Sequence, residues 1–441
     1  MLKRVHFPKI FPGWWTVLTG GILALWAYGY QAYGISALFK PISSELGFSR
    51  ATTSVASSIG RFEGGFEAPI TGWVTDRYGP RWIVMLGIFL ISAGLVLMGY
   101  INSLWSFYAA WGVLVGTGAN IALSVPLDTA ISNWFVKRRG LALSIKVMFS
   151  GLSGVLVMPL IAWLITVQGW RIACLFGGVV MAVVGLPMVW FFLKPHRPEY
   201  YGLLPDGAKI TAGTTKESHL IEQGTRYAAE VQEVEFTLRQ AMRTPAYWLL
   251  IVVTAIHGLV TPVMSIHCIP FLTDPSVGMD PVKAAGVMSI YVGVSIPFRF
   301  VGGFIADRIK GGYLRFLVCA GYLLQAAGIG VFLLHQTIPM IYVWFVLYGV
   351  GMGIGNIVPP LIRARYFGRK AFGSIGGTSA MFVTPVGVIA PIYAGWVYDT
   401  TGSYMTAFTL FAVLLAVSAA ILPFISPPKP PPKLTDVRQI L

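Results

Sequence analysis

Four sets of ionisable residues stand in stretches that are otherwise apolar. Arg299 lies in YVGVSIPFRFVGG, residues 291–303, where every other position is apolar or small. An arginine at the centre of a membrane helix costs about 2.5–3.5 kcal/mol on insertion scales. Such a cost is met when the planar fork lines a cavity and takes a carboxylate in two parallel hydrogen bonds. It is also met by a salt bridge to another helix, so Arg299 reads either as an anion anchor or as a structural pair member.

The second set is SIGRFEGGFEAPITGWVTDR, residues 58–77, which carries Arg61, Glu63 and Glu67. The two glutamates are four apart and share one helix face. Arg61 stands about 200° round the helix from Glu63. Buried carboxylates can carry protons; equally, these charges can brace the helix as a fixed network. Gly60, Gly64 and Gly65 allow a neighbouring helix to approach closely. The third set is Asp128, nine residues before Lys137, with Lys146, seven after Arg139. On antiparallel helices joined by a short loop, both groups fall about 10–14 Å deep. They form a static pair, a pair opened by proton or substrate, or they leave Lys146 as a second anion contact. The fourth is His257, with Pro262 five residues on. A proline there can break the helix and free a carbonyl toward a cavity; the alternative is a satisfied core histidine. His267 reads as structural, and Asn120, Asn356, Tyr291, Tyr393 and Trp396 are further cavity candidates.

The elements that must position these residues are membrane helices. Of 441 residues, 56% are hydrophobic and 11% charged, with mean hydropathy +0.71; a soluble domain carries about 25% charged residues. Apolar runs of spanning length recur, so the chain is expected to be an all-α membrane protein. Twelve spans are expected near 14–39, 51–74, 82–100, 104–134, 141–166, 172–193, 246–272, 282–305, 314–335, 340–367, 372–398 and 404–425. The first lacks a small-residue cleavage site and reads as a retained helix. This gives a six-helix half over 1–193, a polar linker over 194–243, a second half over 244–425 and a tail over 426–441 opening with SPPKPPPK. One amphipathic helix, Tyr227 to Met242, is expected in the linker. Cys174, Cys268 and Cys319 sit in three different apolar segments, which is neither a disulfide framework nor a metal spacing.

Orientation follows from lysine and arginine. The N-terminus, the even-to-odd loops, the linker and the tail hold 25 of the 32, including KRR at 137–139 and RARYFGRK at 363–370. Both termini are therefore expected in the cytoplasm. The net charge of +15 is a topology signal, and no soluble basic domain exists to bind nucleic acid.

The chain also repeats itself. GWVTDRYGPR (72–81) is answered by GGFIADRIKGGYLR (302–315), and NWFVKRRGLALSI (133–145) by RYFGRKAFGSI (365–375). QGWRIACLF (168–176) is answered by TGSYMTAFTL (401–410). Six-helix halves repeated in the same order form a parallel repeat, whose substrate site lies between the halves near the midplane. Within that layout, G-x-x-x-D-R-x-G-x-R over Gly72, Asp76, Arg77, Gly79 and Arg81 resembles the loop signature of the major facilitator superfamily. A looser copy holds Asp307 and Arg308. WFVKRRGLALSI, YFGRKAFGSIGG and PIYAGWVYDTTGSY are similar to the monocarboxylate transporters and the oxalate/formate antiporter group. Both place an arginine in the eighth helix, eight residues before the acidic position of the second loop motif. Arg299 stands eight before Asp307. That is about 12 Å of helix against a half-core of about 15 Å. Animal monocarboxylate carriers place an Asp one turn before that arginine, where this chain has Ser295. The antiporters often place an aromatic residue ten before the WF pair, where this chain has Ser124.

The resemblance implies a secondary transporter of a small organic anion, a monocarboxylate, working by alternating access with a proton as co-substrate. Arg299 would hold the carboxylate, with Ser295, Ser124, Lys146, Asn120, His257 and Tyr291 around it. Glu63, Glu67, Arg61 and Asp128 would form the charge network, and the loop-motif residues a latch or a topology signal. The family implies a bacterial inner membrane. No phosphate-binding loop and no covalent nucleophile constellation is present, so neither an ATP-driven pump nor an enzyme is expected, and no cofactor or metal is implied. Anion antiport, drug or metabolite efflux, and ligand sensing without transport are the alternatives.

Overall fold

The computed structural model describes residues 11–48, 50–210, 217–230, 233–274, 277–309, 311–334 and 337–430. Of the expected tail, residues 431–441 lie outside this set, as does the side chain of Arg61. Among the described residues every regular element is helical. Expected spans three to twelve coincide with ten helices long and apolar enough to cross a membrane, from Pro80–Met98 to Met405–Phe424. The second span is the helix Arg50–Tyr78, longer than expected at both ends. The first runs further still: Gly13–Tyr28 passes through a π-helical turn, Gly29–Gly34, into Ile35–Leu46. The polar composition of Ser43, Ser44 and Glu45 hides that last turn from a hydropathy reading.

Two compact units emerge, Met1–Glu67 with Arg77–Tyr227, and Ala68–Asp76 with Ala228–Leu441. The C-terminal end of the second span thus groups with the second unit. The core of the first unit gathers Leu23, Ile88, Leu95, Trp111, Val115 and Val157 from spans one, three, four and five. The second unit is more aromatic, with Phe271, Phe332, Trp344, Tyr348 and Phe408 all buried. Large apolar side chains such as Phe66, Trp82, Trp163 and Ile392 are exposed, as helices facing lipid require. Cys174 and Cys268 are buried as small apolar residues, whereas Cys319 is half-buried with its thiol on the Ala419 carbonyl at 3.2 Å.

The expected proline break and the observed one fall in different spans. Pro262 does not break the seventh span, which stays helical over Pro245–Thr273. Gly387 leaves room there for the carbonyl of Gly258, the group that Pro262 cannot bond. The fourth span does break, at Ser124, whose φ −91° and ψ −108° are not helical. Pro126 follows in the first turn of the continuing helix, where its missing N–H costs least.

The linker corrects the expected amphipathic helix. Helices form over Glu217–Ala229 and Leu238–Met242, not continuously from Tyr227. Thr237 and Gln240 make a capping box that starts the second one. Just before it, the Phe236 N–H donates to the Phe367 carbonyl at 3.0 Å, and Glu233 meets Arg369 at 3.5 Å with both side chains buried. Nearer the first unit, Asp206 accepts from the N–H groups of Val136, Lys137 and Arg138 at 3.1, 2.8 and 3.1 Å. It does so at φ +59°, a left-handed conformation that aspartate tolerates better than most residues. Each end of the linker is therefore fastened to the loop after a fourth or tenth span.

Candidate functional site

In the first unit, polar residues of the fourth span fall on one stripe, Thr117, Asn120, Ser124 and Asp128, spaced three or four apart. Asp128 accepts from the Lys146 ammonium at 2.8 Å, and both side chains are largely buried. Tyr28 of the first span lies close enough to couple electrostatically to both. Lys146, expected among the substrate contacts, thus pairs with a carboxylate of its own chain. Ser124 is exposed at the helix break.

One turn earlier the same stripe meets the second span. Gly60 packs on Gly116 and Gly112, and Gly64 on Asn120, so closely that a methyl group would overlap. Thr117 Oγ1 lies 3.0 Å from Glu63 Oε2 and 2.7 Å from Glu67 Oε1. Asn120 Nδ2 donates to the Gly60 carbonyl at 2.7 Å and reaches Glu67 Oε2 at 3.5 Å. The Asn120 amide N–H groups are therefore engaged at the helix crossing. Nothing in the sequence singled out Thr117 except its hydroxyl in an apolar span, three residues before Asn120.

In the second unit, Tyr291, Ser295 and Arg299 stand at four-residue steps along the eighth span, all buried. Gly349 and Gly353 of the tenth span pack against them; a methyl on Gly353 would lie 2.7 Å from the Ser295 carbonyl and 3.0 Å from the Arg299 nitrogen. This small-residue contact holds the arginine-bearing helix tightly. Ser295 donates its one hydrogen to the Val292 carbonyl at 2.7 Å, which leaves it no hydrogen for a substrate. The Tyr291 ring packs on Phe345 and Tyr348, both with centroids 5.8 Å away. His257 is 6% exposed and stacks on Tyr322 at 4.7 Å. Both side chains are buried against these aromatic neighbours. His267 bonds the Pro391 carbonyl at 2.9 Å.

The loop motif makes a different contact from the one its arginines suggest. Asp76 accepts from the backbone N–H groups of Gly373 and Ser374 at 2.9 and 2.6 Å. These are unpaired first-turn donors of the helix Phe372–Thr401, whose own N-cap, Ala371, supplies no side chain for them. A carboxylate there also meets the positive end of the helix dipole. Gly72 is required because its Cα lies against the Gly373 carbonyl. Gly79 takes φ +84° against Pro195, a turn that glycine adopts without strain. Arg81 donates from Nε to the Leu193 carbonyl at 2.6 Å, closing the C-terminus of the sixth span. Arg77 lies over Tyr78, and Arg308 over Phe304 while donating to the Phe304 carbonyl at 3.2 Å. Asp307 is half-buried at the end of the eighth span.

Comparison with known proteins adds to this geometry. A family profile described as Major Facilitator Superfamily matches residues 21–387. The chain is 25% identical over 289 residues to the oxalate:formate antiporter of Oxalobacter formigenes, covering 66% of this chain and 61%, less than two thirds, of that protein. It is 27% identical over 369 residues to monocarboxylate transporter 12-B of Danio rerio, covering 80% and 75%. With monocarboxylate transporter 12 of Xenopus laevis it shares 26% over 448 residues, covering 99% and 94%. Among solved structures, the human organic anion transporter MFSD10 superposes with TM-score 0.68 at 14% identity, covering 94% of this chain and 100% of that one. The proton:xylose symporter XylE gives TM-score 0.70 at 11% identity, covering 93% and 95%. At those identities the structures show a shared fold and nothing more.

Proposed function

Because the chain belongs to the Major Facilitator Superfamily and is an integral membrane transporter of that fold, we propose that it moves a small monocarboxylate by alternating access together with a proton. The observation that carries this reading is Arg299, 5% exposed in the eighth span, with a planar fork suited to a carboxylate. Its guanidinium would hold the carboxylate. The names of the curated relatives support an organic anion as cargo. The proton reading rests on the half-buried Glu63 and Glu67. The lysine and arginine distribution supports cytoplasmic termini, and we assign the protein to a bacterial inner membrane. Anion exchange is the second reading, favoured by similarity to an antiporter.

The test is internal pH in proteoliposomes while lactate, pyruvate, acetate, formate, oxalate or succinate is added outside. Acidification by one monocarboxylate above the protein-free leak is expected. If labelled anion exchanges while no anion acidifies the interior, symport fails and exchange takes its place.

Asp76 serves as a latch in this scheme. Asp76→Asn keeps the size and removes the charge, which costs the helix cap about 1–2 kcal/mol. The conformation carrying that cap should lose roughly tenfold in relative population. Ser374 is 8% exposed here. With Cys319→Ser removing the half-buried thiol, a cysteine placed at position 374 should react several-fold faster with a water-soluble maleimide in Asp76→Asn. Equal rates would reduce the motif to a topology signal.

A further inference from the structure

Thr117 has one hydrogen and two lone pairs on its hydroxyl. It lies within hydrogen-bond distance of two carboxyl groups, Glu63 Oε2 at 3.0 Å and Glu67 Oε1 at 2.7 Å. Were both glutamates ionised, each would be an acceptor only, and the single hydroxyl hydrogen would have to be forked between them, a weaker bond to each. Two full hydrogen bonds form when one carboxyl carries a proton and donates to Thr117, while Thr117 donates to the other. Charge balance leads independently to the same state. Two carboxylates on adjacent turns repel, and within a membrane span each needs a cation or a proton. Among the described residues, neither glutamate meets a cation; Arg61, two residues before Glu63 on the same helix, has its side chain outside that set. The groups facing them from the fourth span are the neutral Thr117 and Asn120. The nearest acid of that span, Asp128, is already balanced by Lys146. The Gly60–Gly116 and Gly64–Asn120 crossings hold the helices too close for the pair to separate by sliding apart.

We propose that Glu63 and Glu67 hold one proton between them, and that Thr117 is the positioning residue that makes them a single acid. As the coupling proton of transport, this inference rests on the function proposed above. As a bound proton, it rests on the hydrogen count and the charge balance of the pair. Loading takes one proton from water onto the doubly ionised pair, which passes from two negative charges to one. Release returns the proton to water and restores the repulsion, a coupled titration belonging to the pair rather than to either residue.

Infrared difference spectra of the purified protein over a pH series test this. Wild type should show the carbonyl stretch of a protonated carboxylic acid at neutral pH, shifted by deuterium exchange and lost on alkalinisation. In Glu63→Gln and in Glu67→Gln the midpoint of that loss should fall by about one pH unit or more, because the like charge that favoured protonation is gone. Thr117→Val should move the band toward that of a free acid, and Thr117→Ser should restore it. If the Gln variants do not fold, the Thr117 pair decides alone. No acid band in wild type at neutral pH overturns the proposal. So do unchanged midpoints in both Gln variants, or a band that ignores Thr117→Val. A wild type showing the shared band while moving its anion without acidifying vesicles would support the bound proton and sink proton coupling. Acidification without the band would do the reverse.

Discussion

Arg299→Lys is expected to weaken uptake of the preferred monocarboxylate roughly ten- to hundredfold, read as the concentration for half-maximal uptake in proteoliposomes. Lysine keeps the charge but loses the planar fork, so a two-point grip on a carboxylate becomes a one-point contact. One hydrogen bond to a charged group is worth about 1.5–3 kcal/mol, and each 1.4 kcal/mol is about tenfold. The surrounding helix contact should survive, because Gly349 and Gly353 pack on backbone atoms of the eighth span rather than on the guanidinium. The thermal midpoint in detergent should therefore move little. A lysine variant that transports as well as wild type would make Arg299 a structural charge and remove the anchor from the mechanism. A variant that both unfolds early and transports poorly would point the same way.

The second large effect concerns Asp128 and Lys146, 2.8 Å apart and largely buried. Removing one partner of a buried pair strands the other charge, at about 3–5 kcal/mol, whereas replacing both with apolar or neutral groups is often close to neutral. Asp128→Asn and Lys146→Met should each lower the thermal midpoint sharply, and the double variant should recover most of the loss. Transport by that double variant then separates the readings left open by the sequence. Near-normal uptake makes the pair a brace. A stable protein that no longer transports makes it a switch whose opening the cycle requires. If the single variants are as stable as wild type, the pair is not a buried one in the membrane.

Depth along the helix was the most informative signal in the sequence. Counting residues from the KRR loop placed Asp128 and Lys146 at one level on neighbouring helices, and they meet. The same counting set Glu63 and Glu67 on one face, and both reach Thr117. Depth does not tell which way a side chain is already spent. Ser295 bonds its own backbone, Asn120 bonds the neighbouring helix, and His257 stacks in the core. Those contacts depend on the rotation of each helix, which an almost uniformly apolar sequence hardly encodes. The partners of Asp76 were illegible for another reason. They are backbone amides, and an amide has no residue type to read. The linker contacts of Asp206 and Glu233 were hidden likewise, because charged residues in a polar loop resemble one another.

The pairing of Asp128 with Lys146 also bears on how the protein is made. The two residues lie 18 apart, on consecutive helices with only a short loop between them. They leave the ribosome in quick succession and can enter the bilayer as one hairpin. Each alone would burden insertion by about 2.5–3.5 kcal/mol, but within the hairpin each neutralises the other before any later segment has been synthesised. The helices just before and after the one that bears Arg299, over 246–272 and 314–335, contain no Asp or Glu. The hairpin of the fourth and fifth spans thus carries its own electrostatic chaperone, which the helices made next to that of Arg299 cannot supply.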